Sequence, residues 1–129
     1  MTTITIKTHA RDEFIDITAY VEKTIHESGI IEGICTVFTP HTTAAITINE
    51  NADPDVLTDM IKGLNELNFE KIQFRHGEGN SPAHIKSSLV GCSETVIVSC
   101  GRAVLGTWQG IYLWEFDGPR VRNIHIKVR

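Results

Sequence analysis

Apolar and polar residues alternate along much of the chain. Ile4 and Ile6 fall on one side of residues 3–8, the period-two pattern of a half-buried strand. Residues 13–17 alternate in the same way. A helix is expected next, capped by Thr18 and stopped at Gly29, with Ala19, Val21 and Ile25 as its apolar stripe. Residues 33–39 read as a buried strand and residues 44–50 as another. Asp53-Pro54 then opens a second helix, because an aspartate caps well and proline lacks only an N–H that has no partner in the first turn. Its stripe is Val56, Leu57, Met60, Ile61, Leu64 and Leu67. Ser81-Pro82 repeats the start signal for a short helix that Gly91 ends. Strands at 95–99, 111–116 and 121–128 finish the chain, the last with Ile124, Ile126 and Val128 on one face.

About seven strands and three helices follow from this pattern. Strands lie mostly beside strands, and the last three come without intervening helices. That order predicts an α+β fold whose mostly antiparallel β-sheets pack as a sandwich, rather than alternating βαβ units. No linker, repeat or low-complexity tract divides residues 1–129, so a single domain is expected.

Composition narrows the possibilities. The 129 residues are 41% apolar and 22% charged, which suits a folded domain rather than a disordered one. No apolar run approaches the ~20 residues that span a bilayer. The first residues lack the basic and apolar regions of a signal peptide, so a cytoplasmic protein without membrane partners is expected. A net charge of -4 argues against a nucleic-acid partner. Three cysteines, with no CxxC pair, exclude a zinc ribbon. Cys35 and Cys100 sit in apolar runs and are expected to be buried.

Candidate chemistry gathers in four polar segments. His41, Thr42 and Thr43 join two apolar strands. The imidazole suits proton transfer or metal ligation and the hydroxyls suit phosphate oxygens, while a turn capped by threonines is the structural alternative. Glu50, Asp53 and Asp55 crowd a strand-to-helix junction. The helix dipole accounts for the aspartates, but Glu50 precedes the cap and is a candidate metal ligand or histidine partner. Residues 75–88 carry Arg75, His76, Glu78, Asn80, Ser81, His84, Lys86, Ser87 and Ser88 around a helix start, which favours anions. With His41, His76 and His84 form a candidate three-imidazole metal site. The fourth segment, residues 99–110, is glycine-rich and holds Arg102, Trp108 and Gln109. Its alternatives are a phosphate- and ring-binding loop or a long hairpin loop. His9, His26 and His125 read as incidental surface residues.

His41-Thr42-Thr43-Ala44, Ile48-Asn49-Glu50-Asn51 with Asp53-Pro54-Asp55, the 76–89 segment, and Gly106-Thr107-Trp108-Gln109-Gly110-Ile111 together resemble the YjbQ-like family, in the same order and over nearly the whole chain. The resemblance implies packed antiparallel sheets and a homotrimer. It also implies thiamine phosphate synthase activity, the joining of a pyrimidine pyrophosphate to a thiazole phosphate with loss of pyrophosphate. Carried over by position, His41, His76 and His84 become candidate metal ligands, and His41, His84 and Glu50 candidate catalytic residues. Asn80, Lys86, Ser87 and Ser88 match the family's polar loop-helix motif and, together with Thr42, Thr43, Ser81 and Gln109 read from their own segments, are candidate contacts to a small phosphorylated substrate. The implied cofactor is a divalent metal. Three imidazoles suit zinc or another transition metal, whereas magnesium would be held through phosphate oxygens. A metal-dependent hydrolase of a small phosphorylated or carbonyl compound, and a non-catalytic small-anion binding module, are the alternatives.

Overall fold

A computed structural model describes residues 1–129. Eight strands form two antiparallel sheets. The larger runs in the order β1 (Thr2–Lys7), β8 (Val121–Val128), β3 (Gly33–Phe38), β5 (Ser93–Ser99), β6 (Arg102–Ala103). The smaller runs β2 (Glu13–Asp16), β7 (Gln109–Glu115), β4 (Ala44–Glu50). The sheets enclose one apolar core. Ile6, Val37, Val98 and Ile126 enter it from the larger sheet, and Ala44, Ile46, Ile111 and Leu113 from the smaller. Val21 and Ile25 of α1 (Thr18–Ser28) complete it. Each buried Val, Ile or Leu side chain among these contributes about 1.5–3 kcal/mol.

The other face of the smaller sheet is covered by α2 (Pro54–Asn65) and α3 (Ser81–Val90). Ala45, Trp114, Phe116 and Ala83 form that second cluster, with Phe14, Met60, Ile61, Leu64 and Val90 packed on it. α2 begins as expected: the Asp55 N–H donates to Asp53 Oδ1 at 2.9 Å, and Pro54 follows the cap. The layers are therefore sheet, sheet and helices. The outer face of the larger sheet carries no layer and exposes Ile34, Ile97 and Val121. No helix is long and apolar enough to cross a membrane.

Several details depart from the pattern-based reading. The short strand β6 is an eighth. Ala19 is exposed, so Val21, Thr24 and Ile25 form the buried stripe of α1. Thr18 is the first helical residue, and Ile17 occupies the cap. The Thr18 hydroxyl donates to Asp16 Oδ1 and accepts from the Ile111 N–H instead. Cys35 is buried, but Cys100 is exposed. The apolar alternation of β5 stops at Ser99, and Cys100-Gly101 forms the hairpin turn with both residues at positive φ (52° and 73°). That turn swings the thiol out of the strand.

Candidate functional site

Proline sets the position of the first histidine. The β3–β8 register pairs Phe38 with His125, and its continuation would place Pro40 opposite Asn123. Proline has no N–H for a ladder. Side chains on either side of it take over. Thr39 Oγ1 donates to the Asn123 carbonyl at 3.2 Å, and the Asn123 N–H donates to His41 Nε2 at 2.9 Å. His41 is thereby held with Nε2 as acceptor, which puts the proton of the neutral ring on Nδ1. Burial, then the Arg122 guanidinium, push its pKa below the ordinary 6.5, with His125 adding to the effect and Glu115 opposing it.

Next to His41 the apolar core ends in a polar plug. Glu115 is completely buried and Arg122 nearly so. Arg122 Nε donates to Glu115 Oε1 at 2.8 Å, and Nη2 donates to Glu115 Oε2. Nη2 also donates to the Thr43 carbonyl and hydroxyl. Glu115 further accepts from the Thr8 hydroxyl at 2.8 Å and from the Phe116 and Asp117 N–H groups at 3.1 Å each. A buried ion pair is tolerable when its lone pairs and protons are satisfied in this way. One edge is not: Nη1 of Arg122 makes no hydrogen bond within the chain.

α3 supplies the facing wall. Its 3.6-residue period puts His84, Ser87, Ser88 and Gly91 on one side, and all four line the groove beside His41. His76, from the preceding loop, meets the His84 ring nearly at right angles with centroids 5.6 Å apart. His41, His76 and His84 therefore come from three chain segments into one cleft of about 380 Å³, lined by no apolar residue. Glu78, Asn80, Asp117, Arg120 and Arg122 complete its polar wall. Arg120 pairs with Asp117 at 2.9 Å and lies 3.8 Å from Glu78. Asn80 Nδ2 donates to both carboxylates, at 2.8 Å to Asp117 and 3.0 Å to Glu78. Asn80 Oδ1 is buried without a partner. The cleft opens past His41 and His84 into a wider arm bordered by Phe38, Gly91 and Cys92.

The remaining sequence candidates divide by position. Thr42 and Ser88 are exposed and line the cleft or its wider arm, while Ser81 flanks His76 and His84. Thr43 is on the wall, but its oxygens serve Arg122. The Ser87 hydroxyl donates to the Ala44 carbonyl at 2.8 Å. Lys86 lies about 200° around the helix from His84. It is 3% exposed and its Nζ donates to Asn65 Oδ1 at 2.5 Å, with Asp12 and Glu70 each at 3.9 Å. It ties the helices to the β1–β2 connection and does not border the cleft. Glu50 and Gln109 pair with each other at the far end of the smaller sheet. Seven residues of β4 separate Glu50 from the cleft end, roughly 20 Å of extended chain. Within one chain, Glu50 and His41 do not share a site.

Sequence reasoning passed over Glu115 and Arg122, although the pattern marks both. Arg122 continues the inward series of Ile124 and Ile126, and Glu115 continues that of Ile111 and Leu113. Opposite charges on two core-facing series signal a buried pair. Asp117 and Arg120 carried no comparable mark, because they lie in a turn.

Comparison with known proteins agrees with this architecture. The family model described as UPF0047 protein YjbQ-like matches residues 2–129. The UPF0047 protein YugU of Bacillus subtilis is 57% identical over 127 residues, covering 98% of this chain and 96% of that protein. A UPF0047 protein of Methanocaldococcus jannaschii is 55% identical over 123 residues, covering 95% and 89%. A crystal structure of an uncharacterized YjbQ/UPF0047 protein from Clostridium acetobutylicum superposes with a TM-score of 0.97 at 50% identity, covering 100% of both chains. With the family model spanning almost every residue and close relatives matching end to end, the chain belongs to the YjbQ-like UPF0047 family.

Proposed function

We propose that this chain is a small-molecule enzyme acting on a phosphorylated substrate in the cleft around His41, His76 and His84. The observation that carries the reading is the convergence of three imidazoles and two guanidinium groups on one cleft without apolar lining. Thiamine phosphate synthesis is the specific reaction, on the strength of the family resemblance. That reaction expels pyrophosphate, so it needs donors aimed at oxygens that gain charge as the bond breaks. Arg122 Nη1 and the proton on His41 Nδ1, on two residues that line the cleft, would serve as such donors.

His76 and His84 are the residues to hold a divalent metal. Two imidazoles sharing one zinc ion place their ring centroids ~5–6 Å apart, and here they are 5.6 Å apart. His41 Nε2 already serves the Asn123 amide. No three His, Cys, Asp or Glu side chains are grouped to enclose an ion. Substrate oxygens or water would supply the other ligands, and the ion would add Lewis-acid charge at a phosphate oxygen. The donor set suits zinc or another transition metal better than magnesium.

The same imidazole pair supports a second reading, metal-dependent hydrolysis of a phosphorylated or carbonyl compound. An assay with the pyrimidine pyrophosphate and the thiazole phosphate separates the two. Joining by the wild type, reduced about 100-fold or more in His84→Ala, supports synthesis. Release of phosphate from a simple ester without joining supports hydrolysis. Thermal stabilisation by phosphate without any turnover points instead to a binding module. A cytoplasmic setting fits the three unpaired cysteines.

A further inference from the structure

Arg122 is 3% exposed, and three of its four polar contacts inside the chain are made by Nη2, the fourth by Nε. Nη1 has no acceptor in the protein, although the residue borders the cleft. It is absent from the fully enclosed unpartnered atoms, which are Asn80 Oδ1 and Trp114 Nε1, so it keeps an opening to solvent. A guanidinium locked on two edges and open on the third is a directed donor. Its planar fork is held in one orientation before any ligand arrives.

The surrounding charges limit what that donor can hold alone. Glu115 neutralises Arg122, and Asp117 with Glu78 neutralises Arg120. The cleft thus offers hydrogen bonds but no uncompensated positive charge. A doubly charged phosphate entering it meets the carboxylates of Glu78 and Asp117. A cation on the imidazole pair would remove that penalty.

We infer that Arg122 Nη1 anchors an oxyanion of the phosphate class, and that this oxyanion and a divalent cation at His76 and His84 bind together rather than independently. The inference rests on the functional reading above and adds the anchor and the coupling. By linkage, the factor by which zinc tightens phosphate must equal the factor by which phosphate tightens zinc.

Equilibrium dialysis of radiolabelled inorganic phosphate against the full chain, with and without equimolar zinc, tests this. Zinc should tighten phosphate by at least about tenfold, the effect of one charge-assisted contact. Arg122→Lys retains a cation for Glu115 but removes the Nη1 edge. It should weaken phosphate by on the order of tenfold while leaving zinc affinity in the absence of phosphate unchanged. Should that variant fail to fold, guanidinium NMR of the wild type replaces it: the Arg122 Nη signals shift when phosphate and zinc are added together. Zinc uptake with phosphate binding indifferent to zinc, to Arg122→Lys or to the Arg122 signals overturns the inference alone. No zinc uptake, with or without phosphate, overturns the metal-dependent reading of the cleft as well.

Discussion

The Asn123–His41 hydrogen bond makes one imidazole part of a strand's backbone pairing, and this has a measurable consequence in acid. The folded state holds His41 below its ordinary pKa of 6.5, so the unfolded chain takes up this proton first as pH falls. The His41 contribution to stability is therefore lost as pH drops through about 6.5 towards the lower folded value. Urea unfolding across that window should show a decline that is shallower in His41→Gln. The Asn123 amide resonance should move with the same titration, because a protonated Nε2 cannot accept. A residue-level contrast is expected among the thiols. Burial, with Glu22 nearby, raises Cys35 to about 11, whereas Cys92 and Cys100 are exposed. An aromatic disulfide reagent at about pH 8 should titrate those two quickly and Cys35 only on unfolding. Fast modification of all three would contradict the packing around Cys35.

At the scale of elements, α3 links the site to the scaffold, and Gly91 ends it in a conformation open essentially to glycine alone (φ 107°, ψ 154°). The Gly91 N–H donates to the Ser87 carbonyl at 2.8 Å, and its own carbonyl accepts from Ile46 in β4 at 3.0 Å. Gly91→Ala should cost about 1–3 kcal/mol in chemical unfolding and shift the groove wall at Ser88. Much of this level was legible in the sequence. Start signals and periodicity locate all three helices, although only Asp53 caps through its side chain as expected, while Ile17 and Asn80 stand at the other two caps and Ser81 is the first residue of α3. Alternation locates seven of the strands. The face of α3 that borders the cleft was also implicit in its period, which separates His84 from Lys86. What alternation cannot give is the partner of each strand. Glu50 is nine positions from His41, yet a straight strand carries it to the opposite end of the sheet. Nearness in sequence becomes distance in an extended segment.

For the whole molecule, the layer order leaves one broad face uncovered. Ile97 is 64% and Val121 61% exposed there, with Ile34 and Phe38 partly exposed beside them. The homotrimer that the family resemblance implies would bury these side chains. Sedimentation should return about three times the 14.4 kDa chain mass, and a species near that mass would contradict the trimer. Replacing Ile97 and Val121 together by Ser should shift the assembly towards single chains. The linear pattern marks β1, and β8 beyond Val121, as apolar on one face only, but Ile34 and Phe38 of β3 and Ile97 of β5 add apolar side chains to the outer face, and alternation does not say whether they are covered. Phe38 belongs to that face and also rims the wider arm of the cleft. In the trimer that the resemblance implies, a chain seated on this face would contact Phe38 and so border the same groove. If so, ligand affinity would depend on protein concentration, and dilution alone should weaken it.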